Sequence, residues 1–314
     1  MSRRAQELSS VAFVHIAVAP STAPTWMADA VLAGGGVLVD ADSAEGVVWG
    51  DAREVGQLAA LLDRNPAIRW VQLPFAGVEN FIHLVDDERL WTCGKGVYAD
   101  PVAEHALGLA LAGFRHLVDY ARAKSWAGPA GRNLIGSRVT ILGGGGITQS
   151  LVRLLAPFGC SITVVRRTVV PMVGVDKVTG LDQLNESLRG ADLVFVALAL
   201  TPETRGVLSE PQFRLMEDHA WVVNVGRGGH IITDDLVSAL REGQIAGAAL
   251  DVIEPEPLPS DHPLWSLPNC LITPHVGNTP EMAVPLLSER ITRNVQLVTH
   301  GEPPLGRIDP AVGY

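Results

Sequence analysis

The sequence predicts an α/β chain of about two domains built on parallel sheets, and three observations predict it. The chain has 314 residues, long for a single core. Short β-rich runs alternate with helical patterns almost throughout, the pattern of strand–crossover–strand units. The expected strand Arg138–Leu142 runs directly into a glycine-rich turn and then a helical pattern, and that context is what gives a glycine motif meaning.

Taken in order, Val11–Val18, Gly46–Trp49 and Ile68–Leu73 are expected as strands, with a helix over Ala52–Leu62 between the last two. Arg3 and Arg4 ahead of the apolar run Val11–Ala19 superficially resemble a secretory leader. However, Ser9 and Ser10 intervene, His15 interrupts the run, and a buried strand ended by a turn at Pro20 accounts for it better. A long helix is expected from about Val102 to Arg122, where Leu107, Leu111, Phe114 and Val118 fall on one face. A second series follows: strand Arg138–Leu142, helix Ile147–Ala156, strands Ser161–Val165, Leu193–Leu198 and Trp221–Val225, and helix Thr233–Glu242. Strand-like segments at Ala246–Leu250 and Leu271–Thr273, a helix over about Glu281–His300 and a Pro/Gly-rich tail complete the chain.

Composition narrows the function. At 47% hydrophobic and 18% charged the chain is globular, and a net charge of −10 argues against a nucleic acid or an anionic membrane as partner. No stretch reaches the ~20 apolar residues of a spanning helix. A cytoplasmic protein is therefore the expectation. Cys93, Cys160 and Cys270 form no CxxC pair, which fits unpaired thiols in a reducing compartment and offers no metal-binding spacing.

In the glycine turn, Gly143 and Gly145 take the first two positions of GxGxxG, while Thr148 stands at the third. Glycines allow the backbone to approach a pyrophosphate, and the N–H groups opening the following helix, those of Gly146 and Ile147 among them, attract its charge. The next strand, Ser161–Val165, ends in Arg166-Arg167-Thr168. A dinucleotide fold commonly places there an acidic residue for the ribose 2′-hydroxyl. Two guanidiniums instead suit a 2′-phosphate. NADP(H) is favoured as cofactor, with NAD(H) left open.

Four ordered stretches then carry a resemblance: Leu200–Gly206 (LTPETRG), Val223–Gly229 (VNVGRGG), Ala249–Pro257 (ALDVIEPEP) and Thr273–Gly277 (TPHVG). With Asp100–His105 (DPVAEH) and Phe75–Glu79 (FAGVE), they make the chain resemble the D-isomer-specific 2-hydroxyacid dehydrogenases along nearly its whole length. The resemblance implies an oxidoreductase that moves a hydride between a nicotinamide cofactor and a small 2-oxo or D-2-hydroxy acid. It assigns the catalytic arginine to Arg227, the glutamate to Glu256 and the histidine to His275.

The chemistry asks for those residue types. Reducing a 2-oxo acid needs a proton at the carbonyl oxygen as hydride reaches carbon, and imidazole is suited to give it. A neighbouring carboxylate favours the imidazolium, and a guanidinium orients the substrate carboxylate and polarises the carbonyl. Glu254 competes with Glu256, but the family glutamate lies five residues after the aspartate, here Asp251. By the same resemblance, Asp251 meets the nicotinamide end of the cofactor, while Gly77 and Val78 offer backbone N–H groups to the substrate carboxylate. Glu104, His105 and His15 are taken as structural.

The resemblance further implies two Rossmann-like, doubly wound parallel-sheet domains with a cleft between them. Residues 1–100 and 284–314 would form a discontinuous substrate domain, residues 101–283 the dinucleotide-binding domain, and the assembly a homodimer. Its NADPH-using members suggest glyoxylate or hydroxypyruvate as substrate, and Trp49 either faces the cleft or belongs to a core. Two rivals stand: a formate- or phosphite-type dehydrogenase on the same scaffold, and a cofactor-sensing, corepressor-like protein with little turnover.

Overall fold

The computed structural model describes residues 12–309 except Glu79. Val11, the leader-like start with Arg3 and Arg4, and the end of the tail lie outside the described residues. The chain divides into two compact units: the residues up to Tyr98 together with those from Thr279 onward, and Ala99–Asn278.

The first unit begins β1 (His15–Ala19), α1 (Thr25–Ala33), β2 (Val37–Leu38), β3 (Gly46–Trp49), α2 (Val55–Arg64), β4 (Trp70–Gln72) and β5 (Leu90–Thr92). Its strands form a parallel sheet in the order β2-β1-β3-β4-β5, a doubly wound arrangement. All four residues of β3 are buried, as a parallel sheet covered on both faces requires. One face packs Ile16, Val48 and Trp70 against Leu287, Ile291 and Val295 of the helix Pro280–Thr299. The other packs Trp49, Val71 and Trp91 against Leu58, Leu61 and Leu62 of α2. Trp49 is therefore a core residue, 1% exposed.

The second unit opens with α3 (Ala99–Phe114) and α4 (Leu117–Arg122), where the sequence pattern predicts one continuous helix. The break falls at His116, whose φ is +50°. There the Arg132 N–H bonds the Phe114 carbonyl at 2.7 Å, occupying an acceptor the helix would have used. β6 (Arg138–Leu142), α5 (Gly146–Leu155), β7 (Ser161–Val165), β8 (Lys177–Thr179), α6 (Leu184–Leu188), β9 (Leu193–Val196), α7 (Glu210–Phe213), β10 (Trp221–Asn224), α8 (Thr233–Arg241), β11 (Gly247–Leu250) and β12 (Cys270–Ile272) follow. The parallel sheet runs β12-β11-β10-β9-β6-β7-β8, so chain order reverses between β6 and β9. Ligands of open α/β sheets bind outside the carboxyl ends of strands at such a point. The turn after β6 carries the glycine run, and the segments after β10, β11 and β12 carry Arg227, Glu256 and His275.

Candidate active site

The glycine turn is built by close approach. Gly143 follows β6 with φ +118°, and a Cβ there would lie 2.4 Å from the Ala197 carbonyl oxygen, so no other residue fits. Gly145 caps α5, and a Cβ on it would meet nothing within 4 Å. Among the described residues the Gly144 and Gly145 N–H groups have no hydrogen-bond partner. They lie with half-buried Gly146 and Ile147 at the positive end of a helix dipole, chemistry that fits a pyrophosphate. Thr148 is fully buried, and its hydroxyl donates to the Gly143 carbonyl at 2.9 Å.

Arg166 leaves β7 half-buried and leans on this turn: a Cβ on Gly144 would stand 2.7 Å from its Nε. Arg167 and Thr168 are exposed. Arg167 reaches the field of Glu203, whose carboxyl is held below its usual range first by the Thr201 hydroxyl and also by that guanidinium.

Arg227 follows the end of β10. The buried Asn224 side chain accepts from the Gly226 N–H at 3.1 Å and donates to the Arg227 carbonyl at 3.0 Å. His230, fully buried, places Nδ1 3.2 Å from the Arg227 backbone nitrogen. Burial, the largest influence, pushes its imidazole below its ordinary pKa, and the guanidiniums of Arg227 and Arg205 push the same way. The Arg227 side chain is half-buried and donates to the Gly226 carbonyl at 2.8 Å. Gly228 lies against the Ile253–Glu254 backbone so tightly that a Cβ would fall 2.0 Å from the Ile253 carbonyl carbon.

The two glutamates of the Glu-Pro-Glu-Pro run part company. The Glu254 carboxylate accepts from Arg205 with both oxygens, at 3.0 and 2.9 Å. Glu256 places Oε1 2.7 Å from Nδ1 of His275. A carboxylate on Nδ1 puts the hydrogen there and leaves Nε2 as the other ring nitrogen. That Nε2 has no partner among the described residues, and the His275 side chain is half exposed. His275 also adopts φ +55°.

Asp251 holds the His275 loop. It is 4% exposed, and its carboxylate accepts from the Thr273 hydroxyl at 2.6 Å and from the Val276 and Gly277 N–H groups at 2.9 Å each. Its own carbonyl accepts the His275 N–H at 2.9 Å. Burial alone would raise this carboxyl, but hydrogen bonds from His105, Thr273, Val276 and Gly277 outweigh it and bring it to about 2. Because the folded value is depressed, the stability this group lends is present above an ordinary aspartate pKa of about 4. It is lost as the pH falls through about 2.

In the first unit, Gly77 is half-buried and Val78 is 2% exposed. Neither N–H has a hydrogen-bond partner among the described residues. The turn is held instead by the Gly94 N–H on the Phe75 carbonyl at 2.9 Å and the Tyr98 hydroxyl on the Pro74 carbonyl at 3.2 Å.

Sequence reasoning missed Arg205 and His230, and it missed that His105 reaches Asp251 at 3.2 Å and Thr273 at 3.0 Å. Only the position of His105 in a recognisable motif signalled it. Among the described residues no cluster of three or more His, Cys, Asp or Glu could hold a metal, and no helix is long and apolar enough to cross a membrane.

Comparison with known proteins gives a consistent result. Residues 107–277 match the family model described as the D-isomer specific 2-hydroxyacid dehydrogenase, NAD binding domain. An uncharacterized protein of the proB 3′ region in Corynebacterium melassecola is 38% identical over 255 residues, 79% of this chain and 84% of that one. Glyoxylate/hydroxypyruvate reductase A of Yersinia enterocolitica is 36% identical over 178 residues, 56% of each chain. The crystal structure of a D-isomer specific 2-hydroxyacid dehydrogenase from Xanthobacter autotrophicus Py2, in complex with NADPH and MES, superposes with a TM-score of 0.83 at 27% identity, covering 97% of this chain and 100% of that one.

Proposed function

Because the chain belongs to the D-isomer specific 2-hydroxyacid dehydrogenase family, we propose that it reduces a small 2-oxo acid with NADPH, using His275 as proton donor. It is an NAD(P)-linked oxidoreductase with two Rossmann-like α/β domains. The observation that carries the mechanism is the 2.7 Å contact between Glu256 and Nδ1 of His275. It orients the ring and leaves Nε2 to serve the substrate.

In this reading Arg227 grips the substrate carboxylate and polarises the neighbouring carbonyl, with the N–H groups of Gly77 and Val78 as further carboxylate donors. When bound, the nicotinamide supplies the hydride. His275 passes its proton from Nε2 to the carbonyl oxygen and takes it back in the oxidising direction, while Glu256 remains an anion that steadies the imidazolium. Asp251 keeps the His275 loop in place at the nicotinamide end. The amides of Gly144 to Ile147, which the close turn at Gly143 presents, hold the pyrophosphate, and Arg166, Arg167 and Thr168 the adenosine ribose. Glyoxylate and hydroxypyruvate, the acids in the name of the Yersinia enzyme, are the first substrates to try. A cytoplasmic homodimer belongs to the same proposal on family grounds.

Glu256→Gln keeps the shape and deletes the charge beside Nδ1 of His275, and should lower kcat for reduction about tenfold or more. Glu254→Gln, whose carboxylate is engaged by Arg205, should leave kcat nearly unchanged. Turnover of the two variants measured side by side decides the matter, and a loss in the second variant alone would transfer the role to Glu254.

The cofactor preference rests on Arg166 beside the glycine turn and on the absence of a carboxylate after β7. The NADPH of the Xanthobacter structure points the same way. Arg166→Asp should raise KM for NADPH about tenfold or more and improve NADH relative to it. A wild-type enzyme that prefers NADH tenfold would overturn the assignment.

A further inference from the structure

We propose that Thr148 is a positioning residue for the dinucleotide: its hydroxyl fixes the peptide between Gly143 and Gly144 so that the turn presents its N–H groups to the pyrophosphate. The inference rests on reading this turn as the pyrophosphate site. A glycine at the third motif position serves close packing of helix on strand, and this chain has given that up. The space holds a fully buried threonine, whose hydroxyl is the only donor to the Gly143 carbonyl among the described residues.

The consequence follows from peptide geometry. A trans peptide is planar, with its C=O and N–H pointing in opposite directions. Thr148 draws the Gly143 carbonyl inward beneath α5, which turns the Gly144 N–H of the same peptide outward. That N–H has no partner among the described residues. Gly143 itself, at φ +118°, has a backbone conformation open to glycine's free rotation, so little in its own stereochemistry holds the plane. The hydroxyl bond supplies the restraint in a dry setting, where an unpaired carbonyl is costly. Without it, the plane is free to rotate toward other acceptors of its N–H, and the turn must be reordered each time the cofactor binds.

Thr148→Val is nearly isosteric and exchanges the hydroxyl for a methyl that cannot donate. Its NADPH dissociation constant, by isothermal titration, should rise about five- to twentyfold. KM for NADPH should rise in parallel, while kcat at saturating NADPH stays within about twofold of wild type, because the restraint acts before chemistry. Thr148→Ser should bring the dissociation constant back toward the wild-type value. A hydroxyl that served only the stability of the fold would lower Tm in Thr148→Val and leave the affinity of the folded protein unchanged, and that result would overturn the proposal. Thr148→Ala provides the same comparison should the valine variant not fold. Gly145→Ala tests the underlying reading separately. Its new methyl meets no protein atom within 4 Å, so a loss of NADPH affinity reports the approach of the ligand itself. Weak binding by Gly145→Ala with wild-type binding by Thr148→Val sinks the role of Thr148 alone. Wild-type binding by Gly145→Ala sinks the pyrophosphate assignment and the proposal with it.

Discussion

His275→Ala should lose on the order of 10²- to 10⁴-fold in turnover, the usual contribution of a positioned acid or base, while NADPH affinity stays close to wild type. The half-exposed ring forms a hydrogen bond to Glu256 and is not part of the core, so its removal should cost chemistry more than folding. Turnover at saturating 2-oxo acid, measured beside a cofactor titration, separates the two. A variant that retains more than a tenth of wild-type turnover would remove His275 from the proton path and leave the proton to solvent or another group.

Arg227→Ala should be almost as damaging and of a different character. The backbone at 227 is held independently of the guanidinium, by Asn224 and by the ring of His230, so the turn should survive truncation. What goes, on the proposed mechanism, is the planar cation that meets the substrate, felt both before and during the reaction. KM for the 2-oxo acid should rise and kcat should fall, with a combined loss in kcat/KM of about 10³-fold or more. Arg227→Lys should recover only part, because a point charge cannot reproduce a two-pronged contact. Cofactor affinity should be nearly intact in both variants. Unimpaired reduction by Arg227→Ala would place the substrate elsewhere.

The fold was legible where burial makes strands continuous apolar runs. Leu193–Val196 and Trp221–Asn224 are buried at every position, and the alternation of such runs with helical patterns predicts a parallel sheet. Apart from α1 (Thr25–Ala33), what stayed hidden was short or exposed. β2 has two residues, both exposed, and β5 and β8 have three each, too few to establish a period. The break at His116 depends on the Phe114 carbonyl captured by Arg132, 18 residues on, which periodicity does not register.

The site shows the same division. Motif order named Arg227, Glu256 and His275, yet no local pattern says that Arg205 occupies Glu254 from 49 residues away and so leaves Glu256 to the histidine. Nor does any pattern show that Asp251, polar and acidic, lies inside the domain with its oxygens engaged. Those facts are set by which loops the sheet brings together at the carboxyl ends of β9, β10, β11 and β12.

The left-handed backbone at His275 gives the position two masters. For a residue bearing a Cβ, that conformation costs roughly 1 kcal/mol or more, and glycine or asparagine would occupy it at less expense. Replacing His275 by glycine would relieve that cost while removing the imidazole, so on the proposed mechanism it should raise Tm and abolish reduction together. Stability and turnover then pull on this one position in opposite directions.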